Sequence, residues 1–550
     1  MIEAPNVVIV GAGAGGGAAA WRLTSLGLSV LLLDAGPSFE AATDFKLSQG
    51  DWEQSFPHKP GSQGVYEVAP GQPLTDIPQD LRSWNHIKGH LVQGHQRTSF
   101  GYHHVRGVGG SSLQFTGEAH RLNPLSMRMK TDFGVAHDWP VSYAELEKYW
   151  VMAEKLTGVA GPAFDGRCPR SEPYPWPAHR LSFASEHLAR SLTRLGWGFQ
   201  QNSLAVLPVA HDGRPGCNHC GGCLRGCQIR DKGSIDVTYL RLAMKTGRLK
   251  ILPNTEVLHI ETKGDRVESL LVHTRGQQRK IKTSVLVLAC GAIQTPRLML
   301  NSVSSSSPAG LCNEEGWVGK NFMETLLWTS SAMSNSDLGS HRGLPVDWVC
   351  WDFNRPNAIP GVIGGVRFGP SMAESDLVGP VAYAQRVVKG WGLEHKKAMR
   401  QQFGRALSVA GLGESLPNPG SYVGLSEKKD AMGLPMALIR SRVDEMALAR
   451  LRFMAETCRK ILRASGAGPV FEEFSSADAF SSTHVFGTCR MSSSAKTGVV
   501  DAYCKSFRWP NLYIVDGSVF PSSGGGESPG LTIQALALRA SDALYKNHRG

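Results

Sequence analysis

Three glycines near the N-terminus have the spacing of a dinucleotide-binding loop. The motif Gly11-x-Gly13-x-x-Gly16 directly follows a short β-branched apolar run and precedes a stretch of small residues. The first glycine permits a tight turn, the second lets the backbone approach a pyrophosphate, and the third allows a helix to pack against a strand. Asp34 ends the next apolar run, where its carboxylate can accept ribose hydroxyls. The motif therefore predicts dinucleotide binding, against the alternatives of an unliganded turn and a plain surface acid.

Four cysteines in the middle of the chain have a spacing that could hold a metal. They form the run Cys217-x-x-Cys220-x-x-Cys223-x-x-x-Cys227, which is typical of thiolates around a [4Fe–4S] cluster. Against a cluster, Gln228 follows the last cysteine where ferredoxin runs have proline. A four-thiolate zinc site, a disulfide pair and simply buried thiols are the alternatives.

The elements that position the glycine motif follow from the hydrophobic pattern. Apolar runs at residues 6–10 and 29–34 are suited to buried parallel strands, and residues 18–28 predict a helix of small residues between them. Residues 511–515 and 529–546 again have the order of strand, Gly-rich turn and helix. We therefore predict the α/β fold class with a Rossmann-type sheet.

The remaining segments have weaker patterns. The spacing of apolar residues predicts helices at 143–156, 178–195, 234–243 and, as two stretches, 444–464. Alternating residues predict antiparallel strands at 250–260 and 267–289. Residues 37–100 are rich in Pro, Gly, Gln and His and are predicted to be loops outside the core, and residues 311–440 show a mixed pattern.

Composition and charge restrict the classes of function. Hydrophobic residues make up 41% and charged residues 19% of the chain, which excludes wholesale disorder. Lysine and arginine exceed aspartate and glutamate by 58 − 47 = 11. The basic residues are scattered along the sequence, so we expect no nucleic-acid partner. A basic docking face for a partner protein stays open.

The sequence carries no recognisable membrane or export signal. No run of about 18 apolar residues predicts a transmembrane helix, and the N-terminal residues lack the basic region of a signal peptide. The 11 cysteines are too few for a disulfide scaffold. We therefore expect a cytoplasmic protein, with a periplasmic or membrane-associated location through a signal-bearing partner subunit as the alternative.

Further motifs, which follow the first glycine loop in order along the chain, carry a family resemblance. They are GVGGSS at 107–112, GAIQTPRL at 291–298, HVFGTCRM at 484–491, NLYIVDGS at 511–518 and PGLTI at 529–533. Together they resemble the motifs of the glucose–methanol–choline (GMC) oxidoreductases, FAD enzymes that oxidise alcohols, and in particular the bacterial flavodehydrogenase subunits. The resemblance implies a Rossmann-type FAD-binding domain and a second, substrate-binding domain of sheet and helices.

The resemblance also implies which residues contact FAD. The ADP half would be held by Gly11, Gly13, Gly16 and Asp34, and the adenine would meet the backbone of Val257. The remaining contacts would come from Gly109, Gly110, Ser111, Asp516, Gly517 and Thr532. Some relatives attach FAD covalently through a histidine just after the two serines of the second loop. Leu113 stands at that position, so we expect non-covalent FAD.

The resemblance assigns the chemistry to His484. Alcohol oxidation removes a hydroxyl proton and a hydride, and a neutral imidazole near flavin N5 can take the proton. Family members usually carry a second His or Asn before the last proline, where this chain has Ser528, preceded by Glu527. Ser528 could bind a substrate oxygen or simply cap a helix that starts at Pro529. A structural loop histidine is the alternative for His484.

These inferences combine into a two-domain flavoenzyme. The FAD-binding domain is predicted from residues 1–40, 100–140, 217–310 and 481–550, and the capping domain from residues 41–99, 141–216 and 311–480. We predict oxidation of a CH–OH group in an alcohol, polyol or sugar-type substrate. The cysteine run and the basic charge favour a dehydrogenase that passes electrons to a quinone or to an acceptor subunit such as a cytochrome. An oxygen-using oxidase, a non-redox lyase and an electron-transfer subunit are the alternatives.

Overall fold

The computed structural model describes residues 5–46, 64–372 and 375–549, and a five-stranded parallel sheet lies at the centre of one half of it. The predicted domain assignments of residues 1–4, 47–63, 373–374 and 550 lie outside the described residues. In spatial order the strands are Leu249–Leu252, Val30–Leu33, Val7–Val10, Leu286–Leu288 and Leu512–Ile514. All of these strands except the edge strand Leu249–Leu252 are fully buried, as expected for strands covered on both faces. The sheet confirms the predicted α/β class.

The first helix begins earlier than the sequence predicts. It spans Ala14–Ser25 rather than 18–28, so Gly15 and Gly16 lie inside its first turn. Glycine is unfavourable within a helix, but a Cβ at Gly15 would lie 1.7 Å from the carbonyl oxygen of Val515. Close approach of the helix to the sheet therefore outweighs the low helix propensity of these residues.

Residues 250–260 form two strands instead of one. Leu249–Leu252 pairs in parallel with Val30–Leu33, whereas Thr255–Lys263 begins an antiparallel sheet. That sheet continues through Arg266–Thr274 and Gln277–Lys282. The chain turns at Asn254, whose φ is 49°, and this turn separates the two pairings.

The other half of the fold is built on a six-stranded antiparallel sheet. In spatial order its strands are Val366–Pro370, Ala406–Gly413, Leu326–Met333, Val470–Ser475, Trp84–Asn85 and Gly89–His90. The helix Glu445–Ala464 packs on this sheet. It is one continuous helix, so the prediction of two stretches is wrong. Asp444 caps it, and its buried face extends from Ala447 to Leu462 without a break.

Part of the segment predicted to be loops belongs to this second core. Leu74, Ile77, Leu81 and Val92 are buried in the same cluster as Trp328 and Leu451. The described part of residues 37–100 is therefore not excluded from the core. Leu74 and Leu81 lie in three-residue 3-10 turns, whereas Ile77 and Val92 lie outside helices and strands. Such short pieces have no periodicity that a sequence pattern could reveal.

The remaining elements are smaller sheets, pairs of short strands and further helices. A mixed sheet contains Tyr422–Lys429, Pro435–Arg440 and Tyr66–Val68. Pairs of short strands are Met323–Glu324 with Val485–Phe486, Trp348–Val349 with Gln200–Gln201, Ala479–Ser482 with Thr98–Tyr102, and Ala160–Gly161 with Trp176–Pro177. The other helices are Ala41–Asp44, Met129–Phe133, Tyr143–Thr157, Phe183–Arg194, Gly291–Asn301, Pro380–Arg386, Gly392–Gln402 and Gly530–Arg549. The helix predicted at 234–243 is a π turn, Asp236–Leu240, that continues as Arg241–Lys245.

The helix Tyr143–Thr157 packs with the parallel sheet's core rather than with the six-stranded sheet. Its buried residues Leu146 and Trp150 belong to the cluster around Val8 and Leu288, and it contacts Gly530–Arg549. The two-domain division stays a prediction, in which this helix was placed in the capping domain. In the part of the chain that the structure describes, no helix is both long and apolar enough to cross a membrane.

Candidate active site

A large cavity opens where the strands of the parallel sheet end. It encloses about 840 Å³ and is lined by the residues that follow four of these strands, namely 11–15, 34–35, 289–292 and 516–517. Leu327, Leu412 and Phe474, from the six-stranded sheet, also line it. Open α/β sheets bind their ligands at this edge, and the volume lies within the range of cofactor sites, about 300–1,000 Å³.

The first glycine loop has the backbone that its spacing predicts. Gly11 has a φ of 99°, and a Cβ there would lie 2.3 Å from the Ala289 carbonyl oxygen. A Cβ at Gly16 would lie 1.8 Å from the carbonyl oxygen of Gly11. At Gly13 the nearest atom to such a Cβ would be the Cα of Gly110, 3.8 Å away. Backbone packing thus requires glycine at positions 11 and 16, whereas Gly13 leaves its cavity side open.

The second glycine loop lies against the first. Gly109 has a φ of 110°, and its N–H donates to the carbonyl oxygen of Ala12 at 3.0 Å. A Cβ at Gly110 would lie 2.7 Å from the Cα of Gly13. Ser111, the next residue, lines the cavity. The structure therefore brings two loops that are distant in sequence into direct contact, and a side chain at Gly110 would push them apart.

Asp34 supports the first loop from the neighbouring strand. Its two carboxylate oxygens accept the N–H groups of Ala12 and Gly36, each at 2.9 Å. Burial raises the pKa of this carboxyl, and the two backbone donors oppose that shift. Each oxygen keeps a lone pair for a further donor, and Asp34 lines the cavity together with Val257. A ribose hydroxyl is a suitable donor there.

Asp516 joins the C-terminal motif to the helix that begins at Gly291. One carboxylate oxygen accepts the N–H of Gly291 at 3.0 Å and the Thr295 hydroxyl at 2.6 Å. The other accepts the N–H of Ser518 at 2.9 Å. Burial raises the pKa of this carboxyl. Asp516 and Gly517 both line the cavity.

Three of the implied cofactor residues do not line the cavity. Gly16 and Gly109 take part in the backbone contacts that shape the two loops. The Thr532 hydroxyl accepts a hydrogen bond from the indole N–H of Trp150 at 3.2 Å. Thr532 therefore ties the last helix to Tyr143–Thr157, and its hydroxyl is engaged within the protein.

The residues at this edge of the sheet fit FAD. The helix Ala14–Ser25 begins at the cavity, so its free N–H groups and the positive end of its dipole suit a pyrophosphate. The open side of Gly13 allows close approach to the backbone, and Asp34 supplies acceptors for a ribose. Leu113 is buried beside Ala41 and Phe45, and non-covalent attachment of FAD stays a prediction.

His484 and Ser528 line the same cavity as the glycine loops. The carbonyl oxygen of His484 accepts hydrogen bonds from the Thr325 N–H and the Ser482 hydroxyl, which fix its backbone. Burial lowers the pKa of His484 to about 4, so its imidazole is neutral at neutral pH and can accept a proton. The last helix begins at Gly530, one residue later than a cap at Ser528 requires.

Two further histidines, which belong to none of the sequence motifs, also line this cavity. His103 and His104 come just before the second glycine loop. Burial lowers the pKa of His104 to about 4. Its Nε2 has no hydrogen-bond partner among the described residues, so the neutral ring can meet a ligand. No motif signals these residues; only their position beside the glycine loop could have pointed to them.

A buried ion pair, which the sequence does not reveal, connects the cavity wall to the loop before Ser528. Glu118 lines the cavity, and its Oε2 accepts a hydrogen bond from Nη2 of Arg367 at 2.7 Å. Nε of the same guanidinium donates to the carbonyl oxygen of Gly526 at 2.6 Å. The guanidinium thus joins a carboxylate at the cavity to the backbone two residues before Ser528.

A second connection runs through His120. The Ser528 N–H donates to Nδ1 of His120 at 3.1 Å, so the ring proton resides on Nε2. Nε2 donates to Oδ1 of Asn202 at 2.8 Å, and Nδ2 of Asn202 donates to Oε1 of Glu118 at 3.0 Å. Burial and the nearby Arg367 hold the pKa of His120 well below its usual range. Together with the backbone from Gly526 to Ser528, the two connections close a ring. We call it the Glu118 ring, and its side chains are Glu118, Arg367, His120 and Asn202.

Glu527 does not line the cavity. Its Oε1 accepts hydrogen bonds from the Asn123 N–H at 3.1 Å and from Arg167 and Asn354 at 3.0 Å each. The side chain is fully buried among these donors. Glu527 therefore anchors the loop that carries Ser528 and offers no acid or base to a ligand.

The four cysteines of the central run do not come together as metal ligands. All are free thiols: Cys220 is exposed, Cys223 is buried, and Cys217 and Cys227 are half-buried. Burial raises the pKa of Cys223 to about 12 and that of Cys227 to about 11, so both side chains are protonated thiols at neutral pH. Among the described residues, no group of three or more His, Cys, Asp or Glu side chains could hold a metal ion.

The cysteine run instead forms part of the cavity wall. Gly221, Gly222, Leu224 and Arg225 all line the cavity. The cysteine spacing, which suits an iron–sulfur cluster, therefore belongs in this fold to a turn of the cavity wall. The donor set does not fit the predicted iron–sulfur cluster, and no electron-transfer step is assigned to it.

Alkylation of the native protein is expected to distinguish these thiols. Iodoacetamide should modify Cys220 first because its thiol is exposed, whereas Cys223 should react only after unfolding because it is buried. Peptide mass spectrometry after a short anaerobic reaction checks the order. Protection of Cys220 in the native protein would contradict the structure and indicate a bound cluster or a disulfide.

Comparison with known proteins agrees with the family resemblance. Two sequence profiles described as GMC oxidoreductase match residues 125–326 and 417–537, which is more than half of the chain. A profile described as an NAD(P)-binding Rossmann-like domain matches residues 9–77. The matches follow the order of the motifs along the chain.

Similar proteins align over almost the whole chain. A 2-methyl-1,2-propanediol dehydrogenase from Mycolicibacterium austroafricanum is 27% identical, with 98% of this chain and 95% of the relative covered. The fructose dehydrogenase large subunit of Gluconobacter japonicus is 26% identical, with 98% of each chain covered. The crystal structure of pyridoxine 4-oxidase from Mesorbium loti has a TM-score of 0.65 at 18% identity and covers 99% of both chains, which shows the shared fold. This protein therefore belongs to the GMC oxidoreductase family, and it is an FAD-dependent oxidoreductase that acts on CH–OH donors.

Proposed function

We propose that the protein oxidises a CH–OH group of a small polyol or sugar-like alcohol to a carbonyl, with His484 as the base, and passes the electrons to an acceptor other than oxygen. The observation that carries the proposal is that His484 and Ser528 line the same cavity as the two glycine loops. The relatives named after a diol and a sugar support a substrate of this class.

The residues of the chain divide the work between binding and proton transfer. Gly13, Asp34 and Asp516 would hold FAD, which would supply the hydride acceptor when bound. The neutral imidazole of His484 accepts the hydroxyl proton of the alcohol. The Ser528 hydroxyl donates a hydrogen bond to the substrate oxygen and orients it. The six-stranded sheet closes the cavity on the substrate side, where Leu327, Leu412 and Phe474 exclude water.

Electron transfer to a protein or quinone is favoured over reduction of oxygen. Both relatives described above are named dehydrogenases, and one of them is named a large subunit, which supports a partner subunit here. The net charge of +11 gives the surface an overall attraction for an acidic partner. The preference for an electron acceptor other than oxygen therefore does not depend on the cysteine run.

Reduction and reoxidation of the flavin test the proposal separately. Under nitrogen, polyols and sugars are expected to bleach the flavin absorption of the holoenzyme, because hydride transfer precedes any acceptor. The reduced enzyme is then expected to react faster with dichlorophenolindophenol than with dissolved oxygen, measured by stopped-flow absorbance. Equal or faster reaction with oxygen would make the protein an oxidase. Full flavin occupancy without bleaching by any alcohol would point to the non-redox alternative.

A further inference from the structure

Glu118 places a carboxylate in the wall of the cavity that holds His484. We propose that Glu118 binds a second hydrogen-bond donor of the substrate, a hydroxyl or ammonium group close to the reacting carbinol, and so restricts the enzyme to polyols, sugars and amino alcohols. This inference rests on the proposed alcohol oxidation. It assigns substrate selection to a residue that belongs to none of the sequence motifs.

The carboxylate has acceptor capacity left for a ligand. Its side chain keeps 8% of its surface, and the residue lines the cavity. Oε1 accepts a hydrogen bond from Asn202 at 3.0 Å, and Oε2 accepts one from Arg367 at 2.7 Å. Because each carboxylate oxygen can accept two hydrogen bonds, one position on each oxygen remains for a donor from the substrate.

The Glu118 ring fixes this carboxylate relative to the reacting groups. Arg367 and Asn202 hold Glu118 from two directions, and both continue to the backbone between Gly526 and Ser528. A ring of satisfied buried hydrogen bonds is rigid, and breaking one member leaves the others unpaired. The distance between the substrate's second donor and the site of oxidation is therefore set by the protein.

This ion pair acts electrostatically on the base, which lines the same cavity as Glu118. The charges of Glu118 and Arg367 both act on His484, and they act in opposite directions. Because the guanidinium neutralises the carboxylate, the wall tolerates a neutral hydroxyl as well as an ammonium group. Without Glu118, this part of the wall would lack the carboxylate acceptor for the second group.

Paired substrates test the inference on the unmodified holoenzyme. Ethylene glycol and ethanol differ by one hydroxyl, and ethanolamine replaces that hydroxyl with an ammonium group. We expect kcat/KM for ethylene glycol and for ethanolamine to exceed that for ethanol by about 10- to 100-fold, the range of a hydrogen bond to a charged group. Equal kcat/KM for ethanol and ethylene glycol would overturn the inference while leaving alcohol oxidation intact. Failure of every alcohol to reduce the flavin would instead overturn the proposed function.

Variants assign the selectivity to Glu118. In Glu118→Gln, we expect kcat/KM for ethylene glycol to fall about 10- to 100-fold more than kcat/KM for ethanol, so the ratio between them collapses. Glu118→Asp, which retracts the carboxylate, serves if the glutamine variant fails to fold. His120→Asn perturbs the Glu118 ring without removing the carboxylate acceptor, and it should lower kcat/KM for both substrates alike. An equal fall in kcat/KM for both substrates in the Glu118 variants would show that Glu118 has a structural role and would overturn the inference.

Discussion

Replacing His484 with alanine is expected to slow substrate-driven flavin reduction by about 10²- to 10⁴-fold, the usual contribution of a positioned general base. The variant should keep its FAD, because the hydrogen bonds that hold the glycine loops, Asp34 and Asp516 do not involve His484. Chemical reduction by dithionite should therefore proceed as in the unmodified enzyme. Anaerobic stopped-flow absorbance measures both reactions. His211→Ala, which changes an exposed histidine outside the cavity lining, is the matched control.

The pH dependence of the unmodified enzyme gives an independent check on His484. Burial lowers the pKa of this group to about 4 in the folded enzyme, so the protonated, inactive form accumulates only in acid. We expect kcat/KM to stay constant as the pH falls from 7 to 5 and to decline through a midpoint near 4, and His484→Asn should lack this limb. A limb near 6.5 in the unmodified enzyme, or normal turnover by either variant, would contradict the assignment.

The variant Gly13→Ala is expected to fold but to lose most of its FAD. The new Cβ would meet no protein atom closer than 3.8 Å, yet it would project into the cavity where the pyrophosphate approaches the backbone. An overpacked contact costs about 1–3 kcal/mol, which corresponds to a rise of about 10- to 100-fold in the Kd for FAD. Flavin fluorescence titration of the apoprotein measures this change.

Two other glycines provide controls for that experiment. Gly94 has an equally open position, with no atom closer than 4.0 Å to a Cβ, and lies outside the cavity lining, so Gly94→Ala should bind FAD normally. Gly16→Ala should instead lower the free energy of unfolding, because its Cβ would overlap the carbonyl oxygen of Gly11. If Gly13→Ala binds FAD as tightly as Gly94→Ala does, the cofactor does not approach this loop.

The cofactor side of the molecule could be predicted from the sequence because its signals are local. Glycines at positions 11, 13 and 16 and β-branched runs around them are constraints within a few residues, and the structure places them in a tight loop at the sheet edge. The start of the first helix was missed because contact with Val515, distant in sequence, overrides the preference of glycine against helices. The helix propensities of residues near Gly15 contain no information about a contact that is so distant in sequence.

The Glu118 ring could not be predicted for the same reason. Glu118 and Arg367 are 249 positions apart and belong to no motif, and only the folded chain brings them together. The cysteine run shows the opposite error, since its spacing suggests a cluster but, among the described residues, its thiols form no group that could hold a metal ion. Spacing within one loop indicates a metal site only when the fold also directs the side chains to a common point.

The contact between the first and the last helix has a consequence for biosynthesis. Arg22 in Ala14–Ser25 forms an ion pair of 2.6 Å with Asp542 in Gly530–Arg549, and Gly15 packs against Val515. The ribosome makes the first strand and its glycine loop long before it makes these packing partners. The wall of the cleft at the first glycine loop is therefore incomplete until the segment from Val515 to Asp542 has been synthesised.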